Sequence, residues 1–146
     1  MNPRPMIPGP ITRGLRAGAL YFLAMFAVGF ALGPVRVFLL EPRLGELGAV
    51  LCEAPALLAA SWIMAGQIAR RLRLPGTCRA RATMGLSALL LLQAAELLFA
   101  YLLRGASAGT TLDRYTTPAG WVGGALALAF AAAPLAVKPR TASERK

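Results

Sequence analysis

The chain has 146 residues, of which 57% are hydrophobic and only 15% charged, against about 25% charged in an average soluble domain. A soluble domain of this length has too little interior to hide so much apolar side chain, so the composition calls for lipid as a second solvent. The net charge of +10 and pI of about 11.3 would suit a nucleic-acid binder, but no aromatic interleaving or recognition motif accompanies the basic residues.

In chain order, residues 1–14 carry Pro3, Pro5, Pro8 and Pro10 and predict an extended, flexible tail. The first apolar run, about 17–40, exceeds a signal-peptide h-region and predicts an uncleaved span. Gly18, Met25, Gly29, Gly33 and Arg36 share one stripe of it, so the Gly29-x-x-x-Gly33 pair is expected to meet a neighbouring helix at close range and Arg36 to face protein. Pro34 is expected to bend this helix near its end.

Glu41–Glu46 reads as a short polar turn that makes the first two spans neighbours. The second span, about 47–69, sets Ala49, Glu53, Ala56, Ala60 and Gln67 along one face. Cys52, beside Glu53, reads as a small buried apolar residue. The segment Arg70–Arg81 is strongly basic; it reads as a topology signal, with anionic lipid headgroups as the alternative.

The third span, about 82–103, places Gln93 and Glu96 on a common face. A Gly-, Ser- and Thr-rich connection follows and is expected to be mobile. Thr117-Pro118 predicts a helix start with Thr as cap and Pro at the first position. The fourth span, about 119–137, repeats Ala119, Gly123, Ala127 and Ala131 as a small-residue ladder, and residues 138–146 form a basic tail. Tyr101, Tyr115 and Trp121 fall where one aromatic belt would lie, and Tyr21 near the other.

Twelve of the 16 basic residues then fall on one side of the membrane: Arg4, Arg13 and Arg16, the five arginines of the 70–81 segment, and the four of the C-terminal tail. The positive-inside rule places that side in the cytoplasm. The fold class expected is all-α: one membrane domain, a polytopic four-helix bundle with both termini cytoplasmic.

Arg36, Glu53 and Glu96 come from three spans yet fall roughly 6–10 Å from the same surface at 1.5 Å rise per residue. An ionisable group at that depth is costly alone and is expected to be paired. The expected arrangement is Arg36 bridging Glu53, with Glu96 joining and Gln93 one turn away. Two carboxylates and one guanidinium do not neutralise, so one carboxyl is expected to hold a proton or a cation. The same group would equally serve as a polar pin between helices.

The block Arg36–Trp62, "RVFLLEPRLGELGAVLCEAPALLAASW", resembles a group of small four-span bacterial inner-membrane proteins without an established activity. The shared features are the Arg near the end of span one, the turn with Pro42 and Gly45, and Glu53-x-Pro55 in span two. The resemblance implies a bacterial inner-membrane location and no particular chemistry.

No His is present, which removes His-based metal sites and Ser-His or Cys-His catalysis. The functional expectation is a small binding or transport unit rather than an enzyme, with no cofactor and no metal. Its partners would be the bilayer and a second copy or another membrane protein, not nucleic acid. The alternative is a non-transporting structural or assembly subunit.

Overall fold

The computed structural model describes residues 9–104 and 113–137. The described residues are all-helical, and three helical runs are long and apolar enough to cross a membrane: Pro10–Arg71, Cys78–Leu102 and Pro118–Ala136. The first run contains α1 (Pro10–Val35), a π-helical turn (Arg36–Leu40) and α2 (Glu41–Arg71). The others are α3 (Cys78–Arg104) and α4 (Pro118–Ala136), the latter preceded by a 3-10 turn at Arg114–Thr116. The expectations for residues 1–8, for the 105–112 connection and for the 138–146 tail lie outside the described residues.

A straight helix of 62 residues would be roughly 90 Å long, three times the hydrocarbon thickness. The run instead folds back on itself. Gly45 takes φ 71° inside it, a left-handed conformation that glycine adopts without a Cβ penalty. The Ser61 hydroxyl of α2 then lies 4.0 Å from the Met25 sulfur of α1, 36 residues earlier. The reversal therefore sits within the predicted polar turn, but the backbone stays helical almost throughout. Glu41 and Pro42 open α2, with Pro42 in the first turn where its missing N–H costs least.

The start of α1 is also earlier than expected. Residues 10–14, which the sequence reads as part of the tail, are helical: Gly9 is the cap and Pro10 opens the first turn. At the far end of α2, Leu74 N–H donates to Ala69 O and Arg73 N–H to Arg70 O, a Schellman stop with Arg73 in the left-handed position (φ 48°). Pro75-Gly76 follows, and Thr77 Oγ1 accepts from Ala80 N–H to begin α3.

The segments pack in the cyclic order α1, α3, α4, α2, each touching the next and α2 closing on α1. Sequence neighbours α2 and α3 are thus diagonal, despite their short link. Two ends can be distinguished. The basic end holds the α2–α3 connection, the start of α1 and the end of α4; the hairpin end holds Gly45.

The core lies toward the basic end. Ala17, Tyr21, Ala65, Ala80, Met84, Ala88, Phe130 and Ala133 are buried there, mostly small residues that let backbones approach. A Cβ at Gly14 would press on the Ala80 carbonyl and Thr83; one at Gly18 would overlap the Ser87 hydroxyl, and one at Gly85 the Ala131 carbonyl. Tyr21 spans the middle of the bundle. Its ring stacks on Phe130 at 4.5 Å, and its hydroxyl donates to the Phe130 carbonyl at 3.0 Å. That carbonyl needs an outside donor, because Pro134, four residues on, has no N–H to return. Tyr21 is therefore a core residue and not part of an aromatic belt, correcting the sequence expectation. Tyr101 and Trp121 are exposed on the outer surface of the bundle, as belt residues would be.

Two further expectations change. Gly29 and Gly33 face open space: a Cβ added at either would meet nothing within 4 Å, so this stretch of the stripe packs on no described helix of the chain. Here α1 and α3 meet instead through Phe26 and Phe99, whose ring centroids are 5.7 Å apart. The aromatic pair is bulkier than the Gly14 and Gly18 contacts. Cys52 is exposed rather than buried, and both it and Cys78 are free thiols.

Candidate functional site

The polar group of the hairpin end is built by the π-helical turn. In an α-helix, residues five apart point about 140° away from one another. A π-turn closes its hydrogen bonds from i+5 to i and brings such residues nearly into line. The Glu41 N–H donates to the Arg36 carbonyl across this turn. The side chains follow the backbone: Arg36 Nε–H donates to Glu41 Oε1 at 3.0 Å. Pro34 and Pro42 flank the segment, and each removes a backbone donor from the regular ladder.

Arg36 also faces α2. Its Nη1 lies 3.9 Å from Glu53 Oε2, an ion-pair distance too long for a hydrogen bond. The Glu53 side chain is 9% exposed, whereas Arg36 and Glu41 keep about a third of theirs open, at 36% and 30%. One guanidinium thus stands between two carboxylates, one buried and one at the surface. Their formal sum is one negative charge.

This arrangement differs from the sequence expectation in its second carboxylate. Arg36 and Glu53 are brought together, but Glu41, which the sequence places in a solvated turn, supplies the closer contact. Only the five-residue spacing of Arg36 and Glu41 beside a proline hints at it, and that spacing pairs residues only if a π-turn forms.

Glu96 is half-buried on α3, diagonal to the α2 that carries Glu53. Gln93, one turn from it, donates through Nε2 to the Tyr115 hydroxyl at 3.1 Å. Gln93 thus ties α3 to the approach to α4. Gln93 and Tyr115 line a groove of about 540 Å³ with Leu89, Trp121, Gly124 and Leu128. The start of α4 beside it is as predicted: Thr117 Oγ1 accepts from Gly120 N–H at 3.1 Å, and Pro118 occupies the first turn.

The basic segment also contains a residue that does more than signal topology. Arg81 is buried at 6% exposure. Its Nη1 donates to the Pro134 carbonyl at 3.1 Å, in the last turn of α4, where unpaired carbonyls and the helix dipole favour a cation. Its Nε is buried without a hydrogen-bond partner among the described residues.

Among the described residues, no group of three His, Cys, Asp or Glu is placed to hold a metal ion. Comparison with family models, curated proteins and solved structures finds no match to this chain.

Proposed function

We propose that the chain is a multi-pass protein of the bacterial inner membrane, crossing four times with both termini in the cytoplasm. Four crossings follow if the reversal at Gly45 divides the Pro10–Arg71 run into two spans. The basic end would then be cytoplasmic, in accord with its arginines. Reporter fusions test this: the α2–α3 connection at Cys78 and the C-terminus should report cytoplasm, and Gly109 periplasm. A periplasmic C-terminal reporter sinks the four-span reading.

Within that topology, we propose a small binding or transport unit whose site is the Arg36–Glu41–Glu53 group, acting on a proton or a small cation. The observation that carries this is two carboxylates held against one guanidinium at the hairpin end. A proton or small cation is the species that would offset the group's formal surplus of one negative charge. The close-packed basic end, with Tyr21 across its centre, supports a working unit of several copies or one with a membrane partner, any pathway running between them. Glu96 and Gln93 would contribute from α3 only as a separate group.

One observation favours the second reading, a structural or assembly subunit. Arg36 links the end of α1 to α2 where the chain reverses, which is where a polar pin would fix a hairpin. Vesicles reconstituted with the protein and a trapped pH-sensitive dye separate the two. Proton or cation movement that Glu53→Gln abolishes, with fold and oligomer unchanged, supports the site. No cation-dependent signal from folded wild-type protein returns the group to packing.

A further inference from the structure

At the basic end, α2 and α4 leave a groove of about 480 Å³ between them, lined by Trp62, Ile63, Gly66, Arg70, Ala136 and Val137. Among the described residues its walls are apolar and its one charge is Arg70. The guanidinium lies back along α2 over Gly66, where a Cβ would come 3.2 Å from Nη1. A helical side chain leans toward the N-terminus of its helix, which for α2 is toward the hairpin end. Arg70 is thus drawn toward the apolar part of the groove rather than held away from it.

No carboxylate of the described chain stands near. Glu41, Glu46, Glu53, Glu96 and Asp113 all belong to the hairpin-end half. The rival acceptors are the last carbonyls of α4, and Arg81 already donates to that of Pro134. Arg70, Arg71, Arg73, Arg79 and Arg81 together leave this end strongly positive. An apolar trough with a cation at its polar end has the charge and shape of one phospholipid, acyl chain along Trp62 and Ile63 and phosphate at Arg70.

We propose that the α2–α4 groove binds an anionic phospholipid, its phosphodiester held by Arg70. The proposal needs the chain to lie in a bilayer but not the orientation or the Arg36 site proposed above. Vesicles present the lipid on both sides, so its test does not depend on either.

Trp62 is a built-in reporter. In Trp121→Phe protein it is the sole tryptophan. Reconstituted into mixtures of phosphatidylcholine and phosphatidylglycerol, with one or the other carrying brominated chains, its quenching reads which lipid occupies the groove. Brominated phosphatidylglycerol is expected to be preferred about fivefold, the equivalent of about 1 kcal/mol for one basic residue. Arg70→Gln should remove the preference, Arg70→Lys should keep most of it, and Arg79→Gln should leave it unchanged. Circular dichroism and gel filtration establish that each variant is folded. Equal quenching by the two lipids, or an unchanged preference in folded Arg70→Gln, overturns the proposal. So does displacement of the lipid signal by millimolar inorganic phosphate, which would assign Arg70 to a soluble anion.

Discussion

The two ends of α1 offer a controlled comparison. At the basic end, Gly14 and Gly18 let α3 approach until a single Cβ would collide with its backbone or side chains. Toward the hairpin end, Gly29 and Gly33 repeat the same four-residue spacing and meet nothing. The spacing is therefore not what brings helices together. The partner surface decides: α3 presents Ala80, Thr83 and Ser87 to the first pair, and Phe99 against Phe26 just short of the second. Small residues permit close approach but do not by themselves bring it about.

The largest expected effect tests the close-packed end. Gly85→Leu forces a side chain into the Ala131 carbonyl of α4 and should cost about 3 kcal/mol or more, measured by SDS-titration unfolding in mixed micelles. Undiminished stability would mean that α3 and α4 are not in contact there.

Tyr21→Phe should cost about 2 kcal/mol, since it keeps the stacked ring and removes the hydroxyl that donates to a buried carbonyl. The loss should be smaller when Pro134→Ala is added, because the residue then returns its own N–H to Phe130. Strictly additive losses in that double-mutant cycle would show that the two are uncoupled.

The hairpin end should respond less. Glu41→Gln should cost under about 1 kcal/mol, as both members of that pair keep about a third of their side-chain surface open. A melting shift equal to that of Tyr21→Phe would place the pair in a far drier setting than its exposure indicates.

Gly33→Leu is the smallest effect expected, within about 0.5 kcal/mol for a site facing open space. A normal melting curve with a lower oligomer mass would sharpen the comparison: the second glycine pair would then belong to a contact between copies. A large loss in the monomer would break it.

Residue by residue, local chemistry was the legible part. The Thr117-Pro118 start depends only on a hydroxyl reaching an N–H three residues on, so it could be read directly. The reversal near Glu41–Glu46 was marked by Pro42 and Gly45, and the Arg36–Glu53 approach followed from two polar residues flanking one turn. Glu41 as a partner was not legible, because it depends on a π-turn that no local propensity specifies. Gln93 was legible only in part. Its depth was readable from helical rise, but which neighbour it would meet was not.

That this chain is helical, apolar enough for lipid, and basic at recurring intervals was set by its residues alone, since those are properties of composition and period. They also set where α4 begins, through Thr117 and Pro118 acting over one turn. The cyclic order α1, α3, α4, α2 came from packing, and with it everything that depends on who faces whom. That order places α2 and α3 on a diagonal, so the helices that carry Glu53 and Glu96 are not packing neighbours although the two residues look alike in depth. It puts Tyr21 under the carbonyl that Pro134 leaves unpaired, and Arg81 on the last turn of α4. Rise per residue fixes height along a bundle, but the angle around it comes from packing between segments distant in sequence, and no local pattern encodes that angle.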